Sequence, residues 1–107
     1  MQMLKPDTYE ELATYLEREG RIVFLFTADW CPDCQFLYPF LDELEANNPS
    51  LTFVQVDRDD FMLLAQKWDI FGIPSLIVVE NGREIGRLVN KRRKTKEEIN
   101  RFLAGLE

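Results

Sequence analysis

The chain has 107 residues, 46% of them hydrophobic and 12% aromatic, with 13 Lys plus Arg against 19 Asp plus Glu, two cysteines and no histidine. That length and composition fit one globular domain over residues 1–107 and exclude a disordered segment. The net charge of −6 argues against nucleic acid as a partner, and the missing histidine removes the usual neutral-pH acid/base and the commonest metal ligand. No unbroken apolar run is longer than Ile22 to Phe26, so no membrane span is expected, and Met1 to Gly20 lacks the apolar core of a signal peptide. The expected address is therefore cytoplasmic.

In chain order, Met1–Leu4 is placed to add a short edge strand. Tyr9, Leu12, Ala13 and Leu16 then repeat at helical spacing, with Asp7 and Glu10 in position to cap. Ile22–Thr27 is a β-branched and aromatic run, apolar on both faces, which marks a strand in the middle of a sheet. The run ends close to Trp30-Cys31-Pro32-Asp33-Cys34, and Leu37, Phe40, Leu41 and Leu44 make a second helical set. Pro39 lies inside that set and should bend it. Leu51–Val56 is the second strand, and Phe61, Leu64, Ala65 and Trp68 the third helix, with Trp68 on its core stripe. Leu76–Val79 is again apolar on both faces. Asn81-Gly82 joins it to Glu84–Val89, and that dipeptide is the strongest short hairpin signal. The last helix carries Ile99, Phe102, Leu103 and Leu106, opened by the capping pair Thr95 and Glu98. Strands alternating with helices predict parallel crossovers, and the hairpin adds an antiparallel edge. The class is α/β in three layers.

Both cysteines fall in one motif, and its spacing has a physical reason. With Cys31 as N-cap and Pro32 at the first helical position, the missing proline N–H costs nothing. The Cys31 sulfur then faces the free N–H groups of the first turn, which favour a thiolate. Cys34, one turn on, is near enough for a disulfide, whose Cα atoms must be about 4.4–6.8 Å apart. A structural zinc site wants four Cys or His ligands, and neither a histidine nor a third cysteine is present. A purely structural disulfide over so tight a loop would constrain little, and the cytosol would reduce it. Two idle core cysteines fit poorly with a position between a buried strand and a helix. Redox chemistry is the reading that remains, with no metal and no cofactor.

Several residues together make the chain resemble the thioredoxin family over nearly all of its length. They are Ala28-Asp29-Trp30 before the motif, Pro39 five residues after Cys34, Phe71-Gly72-Ile73-Pro74-Ser75 before a strand, and the Asn81-Gly82 hairpin. The resemblance implies the thioredoxin fold: a central mixed sheet of four or five strands flanked by four helices. It also implies a protein-disulfide reductase in which Cys31 attacks and Cys34 resolves, as a monomer acting on disulfide-containing proteins and recycled by a thioredoxin reductase. Pro74 would be cis and lie against the cysteines. Ile73 would offer backbone hydrogen bonds to an extended substrate. Trp30, Gly72, Ile73, Pro74, Val89 and Asn90 would form the docking groove, and Trp30, Pro32, Asp33 and Asp29 would tune the dithiol.

Three departures from the family pattern carry expectations of their own. Asp33 replaces an uncharged neighbour and opposes a thiolate on Cys31. Leu25 stands where the family buries an aspartate thought to take the resolving thiol's proton, and that aspartate's lysine partner aligns with Phe53 or Val54. Asp33, Asp29 or water would have to substitute. Finally, Lys91-Arg92-Arg93-Lys94, with Lys96 close behind, is either a solvated loop or a basic lip that selects acidic or phosphorylated partners. Leu25 and Asp33 also keep open a second function, a redox-tuned binding or adaptor module with little turnover.

Overall fold

A computed structural model describes residues 3–106. Its centre is β1 (Arg21–Thr27), which runs parallel to β2 (Leu51–Asp57) on one side and antiparallel to β3 (Ser75–Glu80) on the other. A hairpin adds β4 (Arg83–Leu88), giving the order β2-β1-β3-β4. The two runs that are apolar on both faces, β1 and β3, are the two central strands, as their composition requires. Asn81 (φ 54°) and Gly82 (φ 79°) both take the left-handed conformation that a tight two-residue hairpin needs.

The expected parallel crossover holds for β1 and β2 but not for β3. The helix between β2 and β3, α4 (Met62–Lys67), has six residues. It therefore climbs about 9 Å, against roughly 20 Å for a strand. It cannot carry the chain back to the starting edge of the sheet. Residues 68–74 return instead to the end at which β1 finishes, where Ser75 pairs with Phe26, and β3 must run the other way. At the opposite edge, Leu4 makes a single parallel bridge to Val54 rather than a fifth strand. Met1 and Gln2 lie outside the described residues.

Helices cover both faces. The alternation of β1 sends Ile22, Phe24 and Phe26 to a cluster with Leu12 of α1 (Tyr9–Leu16) and Ala65 of α4. Val23 and Leu25 go to the other face, against Leu37 of α2 (Pro32–Leu37), Leu44 of α3 (Leu41–Asn47), and Ile99 and Leu103 of α5 (Lys96–Ala104). The second predicted helix is thus two, separated at Pro39 by a 3-10 turn over Tyr38–Phe40. Thr8 caps α1, accepting from the Glu11 N–H at 3.1 Å, while the Glu11 carboxylate accepts from the Asp7 N–H at 2.9 Å. The cap is displaced by one residue from the expected Asp7 and Glu10, because it is Thr8 that takes the extended backbone a cap requires. Thr95 caps α5 as expected. Trp68 is half-buried, edge-on to Phe24 and Phe26 at centroid distances of 5.6 and 5.9 Å. Among the described residues no helix is long and apolar enough to cross a membrane.

Candidate active site

The strand-to-helix junction delivers the two cysteines as their spacing predicts. Cys31 is the N-cap of α2 with extended backbone, Pro32 opens the helix, and the Cys31 sulfur accepts from the Cys34 N–H at 3.2 Å. The Cys31 N–H is tied back to the Ala28 carbonyl at 3.1 Å, and the Gln35 amide donates to the Asp29 carbonyl at 2.8 Å. Both thiols are free and both are buried, Cys31 to 4% exposure and Cys34 to zero. Asp29 and Pro32 are exposed beside them, and Asp33 is half-buried.

The loop before β3 meets this junction from the side. The Ile73–Pro74 bond is cis, and the Cys31 thiol donates to the Ile73 carbonyl across 3.8 Å. Gly72 is held hard against the following loop: a Cβ there would come within 2.8 Å of the Lys91 backbone nitrogen. Gly72 is therefore a close-approach glycine, and that approach sets Asn90 beside the cis bond. Trp30 is 59% exposed. Its indole N–H donates to Asp59 Oδ2 at 2.7 Å, and the Arg58 guanidinium stacks 5.3 Å from the ring centroid. Phe71, 62% exposed, is a surface aromatic that the helical and strand patterns did not single out. Val89 is half-buried against the core, and Ile73 is 9% exposed, so little of its side chain is on offer.

Burial pushes the Cys34 thiol up to about 12, the Cys31 sulfur adds to the effect, and the Ala28 N–H opposes it. Leu25 is buried at 2% exposure, and its partner across the parallel ladder is Gln55, not Phe53 or Val54. Gln55 Nε2 donates to Thr27 Oγ1 at 3.1 Å, and burial raises the proton affinity of the nearby Tyr38 hydroxyl while Thr27 opposes it. Asp29, Lys5 and Asp42 line the same cavity as Tyr38 and Gln55, so the charged groups on this side are at the surface and the inner polar groups are uncharged. A polar residue ending an otherwise apolar strand, as Thr27 does, was the only signal of this network.

Because the folded protein holds the Cys34 proton well above its ordinary value of 9.0, the linkage has a definite sign. Below about pH 9 the thiol is neutral in both folded and unfolded chains; above it the unfolded chain ionises first, so stability falls toward about pH 12. The urea midpoint of the reduced protein is expected to drop between about pH 8 and pH 11 by more than that of Cys34→Ser. Equal drops would show that Cys34 is not held protonated.

The basic loop is less free than its sequence suggests. Arg93 Nε donates to Asp33 Oδ1 at 2.9 Å, and Lys96 pairs with Glu43. Lys94 is fully buried, its ammonium donating to Asn90 Oδ1 at 2.9 Å and to the Arg92 carbonyl at 2.8 Å. Burial lowers its proton affinity. Lys91, Arg92 and Lys94 make no salt bridge among the described residues, and of these three Lys91 and Arg92 are exposed.

The family model described as Thioredoxin matches residues 2–104. A thioredoxin H-type of Ricinus communis is 33% identical over 95 residues, covering 89% of this chain and 78% of the relative. The mitochondrial thioredoxin-2 of Schizosaccharomyces pombe is 32% identical over 89 residues, covering 83% and 67%. Among solved structures, oxidised thioredoxin from Plasmodium falciparum superposes with a TM-score of 0.83 at 19% identity, covering 96% of each chain. Thioredoxin from Trypanosoma brucei brucei gives 0.85 at 18% identity, covering 96% of this chain and 88% of the other.

Proposed function

Since this chain belongs to the thioredoxin family and is a thiol–disulfide oxidoreductase, we propose that Cys31 is its nucleophile and Cys34 its resolving thiol. The observation that supports this assignment is the capped geometry. The Cys31 sulfur already accepts an N–H bond that favours its anion, whereas Cys34 is sealed in and holds its proton. In the forward half-reaction the Cys31 thiolate attacks one sulfur of a substrate disulfide. A mixed disulfide forms, and the other substrate sulfur leaves as a thiolate that takes up a proton. Cys34 then loses its proton and attacks the Cys31 sulfur. The substrate leaves as a dithiol, and the protein carries the Cys31–Cys34 disulfide. Reduction of that disulfide, by a thioredoxin reductase or a small dithiol, closes the cycle.

The docking groove in this proposal is Trp30, Gly72, Ile73, Pro74, Val89 and Asn90. The exposed indole offers the apolar surface, and the Ile73 backbone offers strand-like pairing to an extended substrate. Residues 1–107 act as one domain and as a monomer, in a cytoplasmic or otherwise reducing compartment; one relative named above is mitochondrial. Partner choice falls to Lys91 and Arg92, since Arg93 and Lys94 are already engaged. Leu25 favours a second reading, the adaptor with little turnover: the buried side chain at this position is apolar and cannot receive the Cys34 proton. Insulin reduction separates the two. Sustained turnover with dithiothreitol, and with NADPH plus a thioredoxin reductase, is expected of the enzyme. One stoichiometric round followed by arrest would favour the adaptor.

A further inference from the structure

Asp33 lies between the two cysteines, and the partner of its carboxylate comes from 60 residues further along the chain. Arg93 Nε donates to Asp33 Oδ1 at 2.9 Å, and the same guanidinium sits 4.4 Å from the centroid of the Phe36 ring. Phe36 is three residues after Asp33 on α2, so the two contacts grip one cation from adjacent positions on one helix face. The segment presenting Arg93 is itself braced. Asn90 Oδ1 accepts from the Arg92 N–H at 2.9 Å and from Lys94 Nζ at 2.9 Å, while Lys94 is buried behind it. The side chains of Arg93 and Asp33 are 52% and 35% exposed, and a pair that open to water contributes little to folding. Its electrostatic consequence is local. Asp33 sets up a negative potential at the cysteines, and Arg93 supplies an opposite one from the same place.

We propose that Arg93 is a positioning residue for the attacking thiol: held on Asp33 and Phe36, it cancels the negative potential of Asp33 at Cys31. The thiolate population, and with it the rate of attack, is thereby kept near that of a protein with an uncharged residue between the cysteines. The other charged groups at the junction, Asp29 on the surface and Lys94 inside, are the same with or without Arg93. The inference rests on Cys31 being the nucleophile.

The test is alkylation of the reduced protein by iodoacetamide near neutral pH and at low salt, where the thiolate sulfur displaces iodide. Peptide mapping locates the label. Arg93→Gln is expected to react about threefold more slowly than wild type, and Asp33→Asn faster. The double variant returns to the wild-type rate, because both charges are gone. Arg93→Lys keeps most of the rate, and about 0.5 M salt closes most of the gap between Arg93→Gln and wild type. A merely structural role for Arg93 would give a slowing that neither salt nor Asp33→Asn relieves. That result, or an Arg93→Gln rate equal to wild type, overturns the inference. A label found on Cys34 instead would overturn the assignment of the nucleophile itself.

Discussion

Leu25→Asp is expected to destabilise the reduced protein by about 3–5 kcal/mol at neutral pH. Leu25 is 2% exposed and shares its cluster with Val23, Leu37, Leu44, Phe53 and Leu76. A carboxylate there would lose its water, and the residue across the ladder is Gln55, which carries no charge. Such an acid would be held neutral in the folded chain, well above its unfolded value of about 3.9. The loss relative to wild type should therefore be smallest below about pH 4 and grow as pH rises. Leu25→Ala leaves a cavity and costs about 2–5 kcal/mol, but without that pH dependence. Adding Gln55→Lys to Leu25→Asp should recover about 1–2 kcal/mol, since the two positions face each other in register. Urea unfolding at two pH values decides it. A loss at neutral pH of less than about 1 kcal/mol would mean that water reaches this position.

Cys31→Ser is expected to lower insulin reduction by at least about 10³-fold while leaving the fold in place. A serine hydroxyl can still accept the Cys34 N–H, so the start of α2 keeps its cap. It cannot supply a thiolate near neutral pH, and Cys34, fully buried and with its proton held up to about 12, cannot take over the attack. Stability should change by no more than about 1 kcal/mol, measured by urea unfolding alongside the activity. Residual turnover above about a tenth of wild type would place the nucleophile elsewhere.

Much of this arrangement was legible in the sequence because its causes are local. A cysteine followed by proline at the start of a helix defines a cap, two runs apolar on both faces define central strands, and Asn81-Gly82 defines the hairpin. The resemblance carried by Gly72-Ile73-Pro74 supplied the cis bond beside Cys31. What the sequence hid was long-range. The direction of β3 depends on a helix only six residues long, too short to return the chain across the sheet. Lys94 reads as one more surface charge, yet it is buried because its own loop provides the oxygens that satisfy the ammonium. Arg93 finds its partner 60 residues back, and Trp30 is braced by Asp59 and Arg58 from beyond β2. Charge counts give sign and number, but only the fold says which charges are already spoken for. The register likewise corrected the residue opposite Leu25 to Gln55.

The division of labour between the cysteines is tested most directly by trapping. Cys34→Ser and Cys31→Ser are each incubated, reduced, with a disulfide-bonded substrate such as insulin, and the adducts are mapped by mass spectrometry. Cys34→Ser should accumulate a mixed disulfide on Cys31 that persists until a small thiol releases it, while Cys31→Ser should hold none. A stable adduct on Cys34 in the Cys31→Ser variant, with none on Cys31 in its counterpart, would reverse the assignment of attacking and resolving thiol.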